Sequence, residues 1–313
     1  MKIQTERLEA DPDGIARAAR LLRDGRLVAF ATETVYGLGA DATQGDAVAR
    51  IYEAKGRPAF NPLIVHVASI DAAQRLVTWS ALAQRLAEAF WPGPLTLVLP
   101  LKPEAGVSSL VTAGLPTLAV RMPQGAAAQV LLRAADRPIA APSANPSGRI
   151  SSVSADHVMA GLGGRIDAVL DAGPCQVGLE STIVAVGEHV QLLRPGGIPQ
   201  EALEQVLGAP LQQPETGAIT SPGQLASHYA PGARVRLNAT SATPDEILIG
   251  FGPVQSALTL SASGDLREAA ARLFAILHEA DADGRPIAVA PVPMEGLGQA
   301  INDRLRRAAA PRK

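Results

Sequence analysis

The chain holds a single cysteine, Cys175, among 313 residues. One thiol excludes an intramolecular disulfide and any zinc site built on several thiolates. Its neighbours Pro174 and Gln176 offer no general base, so Cys175 reads as a passive residue. Aromatic side chains make up only 3% of the sequence, too few for a base-stacking platform, and the core has to be built from Ala, Val, Leu and Ile. An excess of positive charge is also missing. With 28 Lys and Arg against 30 Asp and Glu, the formal net charge is −2, which argues against a protein whose main task is gripping a nucleic-acid backbone. Any basic site must be local. No apolar run approaches the ~20 residues of a membrane span. The opening Met1-Lys2-Ile3-Gln4-Thr5-Glu6 has no apolar signal-peptide core, and the chain is expected to be cytoplasmic. There is no P-loop, and no Ser/His/Asp triad is evident.

What is present is a series of polar clusters, each just past an apolar run. Leu27–Phe30 reads as a buried strand and leads into Thr32, Thr34, Gly37 and Gly39, which suit exposed hydroxyls and close backbone approach to a ligand. Lys55 and Arg57 stand one residue apart. Gly56 and Pro58 disfavour a continuing helix, and Pro62 keeps another from starting before Leu63–Val67. The expectation is that both cationic heads lie at the mouth of a strand, off any buried face, where they can grip a polyanion. Arg121 ends the run Leu118–Val120, and Pro138–Ala141 runs into Ser143-Ala144-Asn145. Leu179-Glu180-Ser181-Thr182 and Leu192-Leu193-Arg194-Pro195-Gly196 repeat the pattern. Polar groups gathered at strand ends predict a ligand crevice in an α/β protein.

Helices are expected over 15–24, 46–54, 70–76, 81–90 and 199–207, with strands at 27–30, 63–67, 95–99, 118–121, 138–141, 168–171, 182–186 and 190–193. Several strands follow one another directly, which predicts a sheet of mixed direction. Residues 1–207 form the first domain. The stretch 208–233, rich in Pro and Gly, reads as a linker. A small α/β domain over 234–313 follows, with strands near 235–237, 246–250 and 287–292 and helices over 266–279 and 299–309.

The ordered motifs T-E-T-V-Y-G-L-G, K-G-R-P-x-x-N-P-L-I-V-H, W-P-G-P-L-T, A-V-R-M-P, A-P-S-A-N-x-S-G, E-S-T-I-V and R-P-G resemble the YrdC-like threonylcarbamoyl-AMP synthases. Residues 221–231 resemble the linker signature of their long, two-domain form. The likeness spans roughly residues 10 to 308. It departs at Ala31, where the family usually has Pro, and at Gln224-Leu225-Ala226-Ser227, which replaces a more basic and aromatic stretch. The resemblance implies a YrdC-like twisted mixed sheet with helices and a small Rossmann-like C-terminal domain. It further implies the joining of L-threonine, bicarbonate (or CO2) and ATP into threonylcarbamoyl-AMP and pyrophosphate, for the N6-threonylcarbamoyladenosine modification of tRNA next to the anticodon.

By the same resemblance Lys55 and Arg57 are catalytic and meet the phosphates. Arg57, Asn61, Thr117, Ser143, Asn145, Ser151, Arg194 and Tyr229 face ATP. Thr34, His66, Arg121, the backbone at Ala141, and Ser181 hold L-threonine, with the Arg121 fork on the threonine carboxylate. Mg²⁺ accompanies ATP through phosphate oxygens and water, with no protein metal ligands assigned and Glu180 as the one acidic candidate. The product passes to the tRNA threonylcarbamoyl-transfer machinery; whether this chain touches tRNA stays open. Ser221-Pro222-Gly223 and His228-Tyr229-Ala230-Pro231 suggest that the linker folds over the crevice, with Tyr229 covering the nucleotide. Two other functions compete with this one. An RNA-binding module is disfavoured by the charge and the scarcity of aromatics. A carbamoyl-transfer domain of the hydrogenase-maturation kind would need fused zinc-binding and acylphosphatase-like modules.

Overall fold

A computed structural model of the chain describes residues 4–58, 60–212 and 228–311. The first half runs β1 (Glu6–Glu9), α1 (Pro12–Arg23), β2 (Val28–Phe30), β3 (Gly37–Asp41), α2 (Gly45–Lys55), β4 (Ile64–His66), α3 (Ile70–Leu76), α4 (Ala81–Phe90) and β5 (Leu95–Pro100). It continues through α5 (Ser109–Thr112), β6 (Thr117–Arg121), α6 (Ala126–Ala135), β7 (Ile139–Ala140) and α7 (Ala155–Leu162). The strands β8 (Ala168–Asp171), β9 (Thr182–Val186) and β10 (Val190–Arg194) and the helix α8 (Gln200–Leu207) follow. Its strands make one ten-stranded sheet in the order β1-β8-β2-β3-β7-β4-β6-β5-β9-β10. Directions are mixed, as expected: β4 pairs with β6 in parallel and with β7 antiparallel.

Local chemistry accounts for the element ends that matter here. Asp11 caps α1 by accepting from the Gly14 N–H at 2.8 Å, with Pro12 in the first turn. Helix α2 stops because Gly56 adopts φ +60°, a left-handed turn that costs glycine little. That stop sets Lys55 on the last turn and Arg57 just beyond it. In the centre of the sheet β4 opposes His66 to Arg121 on one side and Val65 to Ala140 on the other. Three strands thus bring separate motifs to one edge.

Five elements of this part were not expected: β1, β3, α5, α6 and α7. Strand β3 was read as a ligand loop because of its glycines. The glycine at 39 is needed by the sheet instead, since a Cβ there would sit 2.9 Å from the Phe30 ring and 3.1 Å from Ile139. Ser154 caps α7 by accepting from the His157 N–H.

The C-terminal part holds β11 (Val235–Arg236), β12 (Ile247–Gly250), β13 (Leu258–Thr259), α9 (Leu266–Asp283), β14 (Ile287–Val289) and α10 (Gly298–Ala309). Its strands pair in parallel in the order β11-β14-β12-β13. It does not stand apart from the first part. Phe274 and Leu277 of α9 belong to the same buried cluster as Val158, Leu179 and Tyr229. At Gly178, φ +70°, the backbones come so close that a Cβ would lie 2.5 Å from the carbonyl oxygens of Ala270 and Ala271. His157 of α7 stacks on His278 of α9 with ring centroids 3.8 Å apart, and His278 Nε2 lies 3.1 Å from the Ser151 carbonyl oxygen.

This histidine stack makes the junction pH-sensitive. Burial, then the His157 ring, lowers the His278 pKa to about 4, opposed first by the hydrogen bond to the Ser151 carbonyl and then by Asp281. Burial also lowers that of His157, opposed by Asp156. Unfolded histidines take up protons near pH 6.5, so unfolding is favoured as pH falls from there towards 4, while stability is complete above that window. In calorimetric melting the stack should account for on the order of 2 kcal/mol of the stability lost between pH 7 and 4.5, beside the contributions of the buried His66 and His228. His278→Gln, whose amide can still donate to Ser151, should flatten that slope; an equal slope in the variant would remove the stack as its cause.

Candidate active site

The crevice is lined by Thr34, Arg57, His66, Arg121, Ala141, Ser143, Ser181, Arg194 and Tyr229, all named from the sequence. Thr32, Glu180 and His228 line it as well. Lys55, Asn61, Thr117, Asn145 and Ser151 are not among its lining residues. Lys55 and Asn61 are buried behind the wall, and Ser151 is fully buried. Asn145 lines a second cavity beside it, shared with His157, His278 and Asp281. Thr117 begins β6, at the end of the strand opposite Arg121.

The two cations are not at an exposed mouth, which corrects the sequence-based expectation. Lys55 is 3% exposed and Arg57 9%. Lys55 Nζ donates to the carbonyl oxygens of Ser143 and Asn145, both at 2.5 Å. Arg57 donates to the carbonyls of Asn61 and Pro62 at 3.3 and 3.0 Å. The reason is that the Ser143–Asn145 loop folds over the end of α2 and offers carbonyl dipoles to the ammonium. Burial, then Arg57, holds the Lys55 pKa well below its ordinary value. Burial is also the main cause of Arg57 falling to about 10, with Arg194 adding to the fall. Arg194 is lowered by burial too, and it donates to the Ser181 carbonyl at 2.9 Å. Charges held at such cost favour an anion beside them.

Around Arg121 the arrangement is tighter than the motif suggested. Its Nε donates to the Gly93 carbonyl at 3.1 Å, Nη1 to Thr34 Oγ1 at 2.9 Å, and Nη2 to Glu33 at 2.5 Å. A guanidinium has five N–H groups, so one on each terminal nitrogen remains beyond these contacts. Glu33 therefore shares the fork expected to be wholly given to a ligand. His66 packs edge-on to Phe30, with centroids 6.1 Å apart, and burial followed by Arg121 lowers its pKa to about 3. It is a neutral imidazole. Ser181 Oγ lies 2.7 Å from Thr96 Oγ1.

Glu180 is not placed as a metal ligand. Its carboxylate accepts from Ser151 Oγ at 2.5 Å and from Arg304 Nε at 2.9 Å. Among the described residues no cluster of three His, Cys, Asp or Glu side chains could hold a metal ion. Tyr229 stands in the crevice wall, 1% exposed, at φ +60°, packed against His228 and Phe274. A left-handed backbone on so bulky a residue costs about 1 kcal/mol or more and is kept only where packing enforces it. Ser221, Pro222, Gly223 and 224–227 lie outside the described residues.

One observation separates this crevice from an ordinary polar cleft. Among the described residues, the buried side-chain atoms without a hydrogen-bond partner are Asn61 Oδ1, His66 Nδ1, Asn145 Oδ1, His228 Nδ1 and Arg304 Nη2. Buried polar atoms are rarely left unmatched, and these gather at and around the crevice. Sequence reasoning missed Glu33, although it stands between Thr32 and Thr34 in a motif already singled out. It also missed His228 as a wall residue.

Two family profiles cover the chain: Sua5_yciO_yrdC, described as "Telomere recombination", over residues 20–196, and "Threonylcarbamoyl-AMP synthase, C-terminal domain" over residues 198–310. The threonylcarbamoyl-AMP synthase of Bacillus subtilis (strain 168) is 41% identical, the match covering 98% of this chain and 96% of the relative. The synthase of Pyrococcus abyssi is also 41% identical, with 93% of each chain covered. The crystal structure of P. abyssi Sua5 complexed with L-threonine superimposes with a TM-score of 0.88 at 39% identity, covering 99% of this chain and 98% of that one.

The depressed Lys55 pKa has a measurable consequence. A bound polyanion restores the pKa towards its ordinary value, so binding takes up a proton at pH values between the two. Calorimetric titration of ATP below the ordinary lysine range, in buffers of differing ionisation enthalpy, should show net proton uptake. Lys55→Met should abolish most of it. Uptake unchanged in that variant would assign the proton elsewhere.

Proposed function

The chain belongs to the Sua5–YciO–YrdC family in its two-domain form, and we propose that its crevice makes threonylcarbamoyl-AMP from L-threonine, bicarbonate (or CO2) and ATP, with release of pyrophosphate. It is a nucleotidyl-transferring enzyme. The observation that carries the reading is the pair of unmatched ring nitrogens, on His66 and His228, in a crevice wall beside buried cations, in a chain 39% identical to one whose structure holds L-threonine.

In this reading threonine lies against Thr34, His66, Arg121, the Ala141 backbone and Ser181. The nearby cations lower the pKa of its ammonium group, so the neutral amine that must attack CO2 is favoured. Bicarbonate, where it is the donor, first takes up a proton and loses water to give CO2. Attack forms the N–C bond as a C–O π bond becomes the carboxylate, the nitrogen's proton passes to solvent, and a carbamate results. A carbamate oxygen then attacks the α-phosphorus of ATP as the bond to pyrophosphate breaks. The nucleophile belongs to the substrate, so the protein supplies positioning and charge rather than a triad. Arg57 meets the departing pyrophosphate, and Lys55 lends its charge through the Ser143–Asn145 loop that it clasps. Ser143, Arg194 and Tyr229 hold the nucleotide from the wall, Asn61, Asn145 and Ser151 support it from behind, and Thr117, at the far end of β6, is assigned to the end of the nucleotide farthest from threonine. ATP would bring its own Mg²⁺ on phosphate oxygens, since Glu180 in the wall and Glu33 behind Arg121 are already paired with arginines.

The product would serve N6-threonylcarbamoyladenosine formation in tRNA, in the cytoplasm where ATP and tRNA meet. No helix among the described residues is long and apolar enough to cross a membrane.

Incubation with ATP, L-threonine and bicarbonate should release pyrophosphate and accumulate a threonylcarbamoyl adenylate, each dependent on all three substrates. Pyrophosphate release indifferent to threonine would sink the reading. Serine lacks one methyl, which a pocket converts into only ~1–3 kcal/mol of discrimination. Threonine should therefore be preferred clearly but imperfectly in kcat/KM; equal constants would show that the methyl is not read.

A further inference from the structure

The side chain of Arg304, on α10 of the C-terminal part, is 0% exposed. Burying a guanidinium costs several kcal/mol, which an apolar residue of similar volume would avoid. Its contacts say what that cost achieves. Asp303, at 2.8 Å, is its own neighbour on α10. The others lie across the junction: Nε on Glu180 at 2.9 Å, Nη1 on the Pro195 carbonyl at 2.9 Å, and the guanidinium carbon 5.2 Å from the Tyr229 ring centroid. Glu180 and Tyr229 line the crevice, and Pro195 directly follows Arg194, which lines it too.

We propose that Arg304 is a positioning residue for the nucleotide half of the site, and the means by which the C-terminal domain takes part in adenylate formation. It acts through Glu180. One carboxylate oxygen is held by Arg304 and the other accepts from Ser151 Oγ, so the pair fixes the Ser151 hydroxyl. The Ser151 carbonyl meets His278 of the same domain. Arg304 also cancels a charge: Glu180 faces the crevice, and alone it would repel a triphosphate. Arg121 and Thr34 are tied to Gly93, Glu33 and each other rather than to Glu180 or Ser151, and of the threonine residues only Ser181 adjoins Glu180, so ATP should respond far more strongly than threonine. The inference rests on the assignment of ATP to this crevice.

The test measures affinity rather than turnover, so it does not depend on the synthase reaction. Titration calorimetry on the full chain gives Kd for ATP and, separately, for L-threonine. Arg304→Met should weaken ATP tenfold or more and leave threonine within about twofold. Adding Glu180→Gln to that variant should recover much of the ATP affinity, because the uncompensated anion is gone. A merely structural arginine predicts a parallel loss for both ligands and no recovery, and either result overturns the proposal. If Arg304→Met does not fold, Arg304→Lys carries the test. Keeping the charge but losing the fork, it should weaken ATP by less than tenfold with threonine unchanged, whereas equal weakening of both ligands again overturns it. Wild-type protein that binds ATP and follows this pattern, yet releases no threonine-dependent pyrophosphate, would defeat the synthase reading and leave the role of Arg304 standing. Wild-type protein with no ATP affinity would defeat both.

Discussion

The crevice depends on one constraint: Lys55, Arg57, Arg121, Arg194 and Arg304 are all buried within a single region. Like charges in a medium of low dielectric repel strongly, and desolvation adds to the cost. The surroundings answer in two ways. Carbonyl oxygens face Lys55 and Arg57, supplying dipoles without cancelling charge. Carboxylates face Arg121 and Arg304, cancelling theirs. The division is functional in effect. Net positive field survives where the phosphates are proposed to lie, and it is quenched at the two arginines that orient neighbours.

Much of this could be read from the residues, and the part that could not has a common cause. Strand ends such as His66 and Arg121 were visible because an apolar run stops beside a polar group. The Gly56 stop was visible because glycine alone takes a left-handed turn freely. The burial of Lys55 was not, since it depends on carbonyls that arrive from 88 and 90 positions away. Arg304 carried no local signal at all; its partner Glu180 is 124 positions distant. The strand β3 was hidden by glycines that read equally well as a ligand loop. Chemistry that is local in sequence was legible, and chemistry assembled by tertiary contact was not.

The junction between the two parts is closer to a core than to a tether. Gly178 admits the α9 backbone at a distance that no side chain would permit, and Tyr229 is packed between elements of both parts. A residue held at φ +60° under such packing has few conformations to lose when a ligand arrives. The described end of the linker is therefore preorganised.

The register of the central strands has one more implication. Strand β4 aligns His66 with Arg121 of β6 and Val65 with Ala140 of β7, so one half of the crevice is written in hydrogen-bond pairing rather than in loop shape. A slip of one residue would turn every side chain of β4 to the opposite face at once. Connections that carry no wall residue are under no such demand. The exposed stretches 187–189, between β9 and β10, and 241–245, between β11 and β12, can differ in length without moving any wall residue, which makes them natural places to graft a reporter or an epitope while the pocket keeps its shape.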